Sequence, residues 1–425
     1  MSTADVPDPA FDRGLLSPAT VRVEEAVSDD AVARALVEVE VALVVAWERA
    51  GVAPEGTAAA VRAAVGIGPG AVELALSAVG GGNPVIPLAK GLRAEVSTRH
   101  VEAARWVHRG PTSQDVLDTA LMLVAARALD AIAPALATAA STAATLADAH
   151  RRTLQVGRTL TQHSTPIVFG AVAAQWTLGL VDARDRIAAA RADLPVQLGG
   201  ASGNLASFVE IGGAAAAARL PGLLAEELGL RAAAPWHVRR TPITALGDAL
   251  ATAVDAAGVI AVDVAQLSRP EIAELAEGEG GESSAMPQKR NPVASVLLRS
   301  LAHRAPGLAA DLHRSASSSV DQRADGAWHA EWPVLRELLR VTLGAADLIV
   351  RLLDGLRIDA ERMTQTVHRA GPSILSERIS IAQGPEAAAA LLADPAPSDS
   401  PLLDPATYLG LSNRIIDQAV AAVRR

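Results

Sequence analysis

Apolar residues return every three or four positions over long stretches of this chain. Val32, Leu36, Val39 and Leu43 fall on one face of a helix predicted over 31–45. Leu117, Leu121 and Val124 keep the same spacing after Thr112-Ser113-Gln114-Asp115, where a hydroxyl followed three residues later by an acid has the form of a capping box. That helix is expected to run to Asp130, with Pro134 opposing direct continuation. Further periodic segments lie around 135–153, 167–192, 242–277, 293–316 and 331–353. Such lengths exceed an ordinary globular helix and point to a bundle of long helices. Loops at 154–166, 194–204 and 278–292 interrupt them, and no strand alternation of useful length is visible. The fold class is all-α. Three domains are expected: short helices and loops over 1–110, the long-helix bundle over 111–355, and a small helical domain over 356–425.

Composition sharpens this picture. Half the residues are apolar but only 2% are aromatic. Alanine, the best helix former, allows close backbone approach, so the core rests on Leu, Val and Ala rather than on large rings. The net charge is −9 and no basic tract occurs, which argues against nucleic-acid binding. An acidic chain that binds an anion must gather its positive charge locally. There are no cysteines, hence no disulfide, no thiolate metal ligand and no cysteine nucleophile. A cytoplasmic location fits, as residues 1–9 carry acids and no apolar signal core. The longest uncharged stretch, 159–181, holds Gln162, His163 and Gln175, and reads as a polar turn entering a buried helix rather than a membrane span.

Four segments concentrate small polar groups beside Gly or Pro. The first, 107–115, contains His108, Thr112, Ser113 and Gln114; its hydroxyls and helix N-terminal amides suit a carboxylate, although an ordinary N-cap reads the same way. The second, 157–166, contains Thr161, Gln162 and His163, the imidazole lying among hydroxyls and amides rather than on an apolar face. The third, 197–204, is a glycine turn or a place where backbone approaches a ligand. The fourth, 278–292, has three glycines, the Ser283-Ser284 pair, and Lys289 between Pro287 and Pro292. Among 38 basic residues only Lys90 and Lys289 are lysines. A compact ammonium kept in the most glycine-rich loop differs chemically from the broad fork of arginine.

The string Ser-Ser-Ala-Met-Pro-Gln-Lys-Arg-Asn-Pro from Ser283 resembles the signature loop of the fumarase/aspartase superfamily. The other three segments resemble its remaining motifs in order and spacing. Gly82-Asn83-Pro84-Val85-Ile86-Pro87-Leu88, Trp236-His237, and 326–333 after Gln322-Arg323 resemble its carboxymuconate cycloisomerase branch. Two departures stand out. Leu160 occupies a position where many fumarases and argininosuccinate lyases carry histidine, and Glu282 replaces a common glycine.

The resemblance implies a homotetramer with active sites shared between subunits, a small polycarboxylate substrate, and no metal or organic cofactor. It implies that Ser283 carries the proton, with Lys289 and His163 as further catalytic groups. His108, Thr112, Ser113, Gln114, Thr161, Gln162, Asn291 and Arg323 would bind substrate. The expected reaction adds a carboxylate oxygen across a double bond to give a carboxymuconolactone, in the protocatechuate branch of the beta-ketoadipate pathway, through an aci-carboxylate carbanion. Rival readings are adenylosuccinate lyase, whose paired histidines are missing among nine isolated ones, or another β-elimination lyase. A non-catalytic, crystallin-like protein is a further alternative.

Overall fold

The computed structural model describes residues 14–66, 70–278, 280–281, 285–393 and 400–424. Helix α1 (Asp29–Arg49) starts at a Ser28 N-cap whose hydroxyl accepts from Ala31 N at 3.1 Å, with Asp29 and Asp30 complementing the helix dipole. Short helices α2 (Thr57–Ala64), α3 (Ala71–Ala78), α4 (Val85–Ser97) and α5 (Val101–Ala104) follow. The long helices are α6 (Ser113–Ala149), α7 (Phe169–Asp193), α8 (Ala206–Leu228), α9 (Thr241–Leu267), α10 (Val293–Ala316) and α11 (Gly326–Asp354). Four shorter ones close the chain: α12 (Ala360–Ala370), α13 (Ser376–Gln383), α14 (Pro385–Ala393) and α15 (Ser412–Val423).

The all-α class holds, with instructive differences. Helix α6 does not stop at Asp130 but runs through Pro134. The flanking stretch is alanine- and leucine-rich, and its buried residues Leu129, Ile132, Leu136 and Ala139 pack well enough to offset one missing N–H. Helix α9 ends at Leu267, ten residues before the predicted limit of 277, because Pro270 cannot continue it. Helix α8 was not anticipated: its alanine run has no amphipathic stripe, and Gly213 interrupts it at φ 78°. The predicted loop over 154–166 is mostly an antiparallel hairpin of β1 (Leu154–Thr159) and β2 (Gln162–Val168). A second small pair joins β3 (Leu275–Ala276) to β4 (Arg357–Ile358).

The chain forms two compact units, each drawn from three stretches. Unit 1 takes residues 1–133, 186–252 and 303–345; unit 2 takes 134–185, 253–302 and 346–425. In unit 1 a core of Trp47, Phe208, Leu43, Leu220 and Leu224 joins α1 to α8, with Trp47 and Phe208 stacked at 5.7 Å. Each such side chain contributes about 1.5–3 kcal/mol by leaving water. In unit 2, Val156 of β1 packs on Val367, Ile374 and Leu375 and so anchors the hairpin. Helices α6, α8 and α9 are long and apolar enough to cross a membrane. In α6 and α9 more than half of that apolar stretch is instead buried inside the chain.

Candidate active site

The turn before α6 is held in a strained shape by three helices of unit 1, α1, α4 and α8. His108 sits at φ 52° and Gly110 at φ 102°. Arg93 of α4 donates to Val107 O and His108 O at 3.1 Å each, Trp47 Nε1 donates to Arg109 O at 2.9 Å, and Ser207 Oγ donates to Gly110 O at 2.7 Å. His108 Nδ1 lies 2.6 Å from the buried Glu40 carboxylate. Gly110 is obligatory, since a Cβ there would come within 2.9 Å of Phe208. Strain over-determined in this way marks a turn kept for what it presents. It presents Thr112 and Ser113, both half-buried at the first turn of α6.

Beneath them lies a carboxylate with four donors. Asp115 Oδ2 accepts from Thr112 N and Gly200 N, each at 2.9 Å. Asp115 Oδ1 accepts from Gly199 N and His237 Nε2, each at 2.8 Å. The capping box foreseen at 112–115 thus forms through its acid, which also ties down the 197–204 loop. Gln114 sits differently from Thr112 and Ser113. Its side chain lies on the same face of α6 as the buried Asp118 and Leu121, is fully enclosed, and donates from Nε2 to His237 O at 2.9 Å. In this structure it supports the turn from behind. Among the described residues no group pairs with the buried Gln114 Oε1, Gln197 Nε2 or His237 Nδ1. Each such atom costs about 1–3 kcal/mol.

One turn further along α6, Asp118 meets Arg240 and Glu331 in a sealed ionic cluster. Arg240 donates to Asp118 at 2.7 and 3.0 Å and to Glu331 at 2.7 Å, while Trp328 Nε1 donates to Asp118 at 2.9 Å. Burial opposes the Arg240 charge, but the Asp118 and Glu331 carboxylates outweigh it and raise the guanidinium pKa. Burial raises the Glu331 pKa, against the pull of Arg240. Two acids on one guanidinium leave Glu331 incompletely compensated. Arg323 is half-buried in the segment just before α11.

The second group of predicted residues lies in unit 2. Leu160 at φ 50° and Thr161 at φ 66° make the two-residue turn between β1 and β2. Two successive positive φ values give the tight turn that matches strand twist, which non-glycine residues adopt at a cost. Leu160 is 96% exposed, and Thr161, Gln162 and His163 are exposed beside it. Arg158 pairs across the hairpin with His163 in register, yet its guanidinium faces away, gripping the buried Glu274 at 2.5 and 3.0 Å. Gln155 Nε2 donates to the same carboxylate at 2.9 Å. Glu274 thereby anchors the hairpin base and leaves its polar tip outward.

The signature loop is closed by reciprocal backbone bonds, Gly281 N to Asn291 O at 2.8 Å and Asn291 N to Gly281 O at 2.9 Å. Glu277 braces it by accepting from Ala294 N, Ser295 N and Ser295 Oγ at the start of α10. Lys289 is exposed. Ser283, Ser284 and Glu282 lie outside the described residues. A cavity of about 520 Å³ beside the loop is lined by Glu277, Gly280, Arg290, Asn291 and Arg357. A slightly larger one in unit 1, about 590 Å³, is lined by Arg186, Arg231 and Arg239 and contains none of the predicted residues.

Among the described residues, the predicted ones other than Arg323 fall on one polar turn in unit 1 and on one hairpin tip and one loop in unit 2. Sequence reasoning missed the supports: Asp115 and Asp118 as buried acids, His237, Arg240, Glu331, Glu274 and Glu277. A signal existed for two of them. Asp115 and Asp118 share one face of a helix whose neighbours are apolar, and a buried acid requires a partner.

With this geometry in hand, the relatives are informative. A family model described as lyase matches residues 24–307. A nitrosuccinate lyase from Streptomyces davaonensis is 43% identical, covering 97% of this chain and 96% of its own. A 3-carboxy-cis,cis-muconate cycloisomerase from Bradyrhizobium diazoefficiens is 41% identical over 73% of this chain and 68% of its own. The crystal structure of 3-carboxy-cis,cis-muconate lactonizing enzyme from Pseudomonas putida superimposes with a TM-score of 0.85 at 32% identity, covering 96% of this chain and 97% of that one. This chain is thus a member of the lyase family of the fumarase/aspartase superfamily.

Proposed function

We propose that this enzyme makes and breaks a bond beta to a carboxylate in a small polycarboxylate, and that its substrate is 3-carboxy-cis,cis-muconate, cyclised to a carboxymuconolactone. The observation that carries this reading is the β1–β2 turn. It places Leu160, with no titratable group, at the exposed tip where a histidine acid is common in the superfamily. In the lactone-opening direction the leaving group is a carboxylate, with a pKa of about 4. Such a weak base departs without a strong general acid.

The costly step is then the carbanion, whose charge spreads into the adjoining carboxylate as an aci-carboxylate. Lys289 and Asn291 stabilise that dianion electrostatically. Ser283 exchanges the carbon-bound proton, its alkoxide favoured by Lys289. Thr112 and Ser113, at the α6 N-terminus, hold one carboxylate. His108, Thr161, Gln162 and Arg323 complete binding, and His163 acts from the hairpin. The enzyme works as a cytoplasmic homotetramer with sites shared between subunits. Mixing inactive Ser283→Ala and His163→Ala chains is accordingly expected to restore partial activity; confirmed mixed tetramers without recovery would contradict sharing.

A second reading is favoured by the 97% coverage of the nitrosuccinate lyase match. On nitrosuccinate the same carbanion would expel nitrite, again a weak base, and release an unsaturated dicarboxylate. The two readings separate in one experiment. The purified enzyme is incubated with each compound, following loss of muconate ultraviolet absorbance and, separately, release of nitrite. Absorbance loss without nitrite supports the first reading, and the reverse supports the second. No reaction with either, from well-folded protein, removes both. Turnover is expected to survive exhaustive chelation, and loss with rescue by an added metal would overturn the mechanism.

A further inference from the structure

We propose that His237 is a positioning residue for the carboxylate-binding turn at the start of α6. This rests on the reading that Thr112 and Ser113 receive a substrate carboxylate. His237 is only 3% exposed, so it cannot meet substrate itself. Its influence runs through Asp115. Of the four donors on that carboxylate, three are backbone amides, from Thr112, Gly199 and Gly200. Among the described residues His237 Nε2 is the single side-chain donor, at 2.8 Å. One imidazole thus completes the junction between the α6 turn and the glycine loop.

The surroundings are shaped to that ring. A Cβ at Gly199 would stand 2.7 Å from His237 Cε1, and one at Gly203 would stand 3.4 Å from Nδ1. The backbone behind the ring is gripped from two sides. Gln114 Nε2 donates to His237 O at 2.9 Å, and Gln197 Oε1 accepts from Trp236 N at 2.9 Å. The far ends of both amides, Gln114 Oε1 and Gln197 Nε2, are buried and find no partner among the described residues, and neither does His237 Nδ1. Apolar side chains would fill this volume without that penalty. What they could not do is set direction, and directional placement next to a strained binding turn is what these polar groups supply.

The test compares His237→Gln with His237→Leu. A glutamine amide nitrogen reaches the position of imidazole Nε2 and keeps the donor to Asp115, whereas leucine keeps volume and removes the donor. His237→Leu is expected to raise KM at least tenfold with kcat within about threefold, as for lost binding shared by ground and transition states. His237→Gln is expected within about threefold of wild type in both. Amide hydrogen exchange gives a readout that does not depend on knowing the substrate. Thr112, Gly199 and Gly200 are expected to lose at least tenfold protection in His237→Leu and to regain it in His237→Gln. If His237→Gln is as damaged as His237→Leu in KM and in exchange, the ring matters only as filling and the proposal fails. It fails equally if His237→Leu keeps wild-type KM and wild-type protection. Should the wild type turn over neither compound, the substrate reading falls while the exchange arm still decides the role of His237. Should His237→Leu not fold, wild-type protection in His237→Gln supports the donor role, and loss there overturns it.

Discussion

Ser283→Ala is expected to lower kcat by roughly a thousandfold or more while leaving substrate binding little changed. Its assigned role is to move a proton in the transition state, and positioned proton carriers supply about 10²–10⁴ in rate. An interaction made only there appears in kcat and not in KM. Ser284→Ala is expected to be much milder, as a support of loop geometry. Lys289→Arg keeps the charge yet is expected to be severely impaired. Lys289 is exposed after a turn in which its backbone N donates to Met286 O at 3.0 Å, and on the proposed mechanism the broader guanidinium would displace the carboxylate that the compact ammonium is to hold. The three kcat values, with circular dichroism to confirm folding, decide the matter. An inactive Ser284→Ala beside an active Ser283→Ala reassigns the proton carrier. A fully active Lys289→Arg removes the point-charge argument.

Arg240→Met is expected to destabilise the protein by about 3–5 kcal/mol, the range for breaking a buried ion pair from one side. The loss comes from what remains: Asp118 and Glu331, both buried and both facing the vacated position. Arg240→Lys is expected to be nearly as harmful, because an ammonium cannot donate to both carboxylates and lie 4.6 Å over Trp236 as the guanidinium does. Neutralising all three positions together, with Asp118→Asn and Glu331→Gln added to Arg240→Met, is expected to recover part of the loss. Urea unfolding midpoints measure this directly. A wild-type midpoint for Arg240→Met would show that the cluster contributes little.

Much of the architecture can be read from the chain because it depends on local repetition. The limits of α10 at 293 and 316 coincide with the periodic segment, since Pro292 and the polar run after Ala316 bound it on both sides. Where the deciding force is tertiary, the reading fails. Pro134 signals a break that packing overrides, and the alanines of α8 carry no stripe to reveal a buried face. The β1–β2 hairpin is hidden because Leu160 and Thr161 lack the usual Asn-Gly turn signal, and only the surrounding fold holds them at positive φ. The candidate site divides in the same way. The residues proposed to meet a ligand, Arg323 apart, lie in glycine- and proline-marked segments that stand out in the sequence. Those that position them, such as Asp115 with His237 or Arg158 with Glu274, lie 122 and 116 residues apart, so neither pairing can be read from neighbours in sequence.

The Gly281–Asn291 closure has one more consequence, for how this site can change. Two backbone bonds fix both ends of the intervening segment, so its side chains are not needed to bring those ends together. Closure entropy grows only slowly with length, about 0.6 kcal/mol for each doubling. Glu277 meanwhile secures the start of α10 independently of what the loop contains. Substitutions between the two closing residues are therefore expected to leave this closure in place, since it is made by backbone groups alone. A scaffold of this kind lets selection exchange one leaving group for another without first having to restore a damaged core.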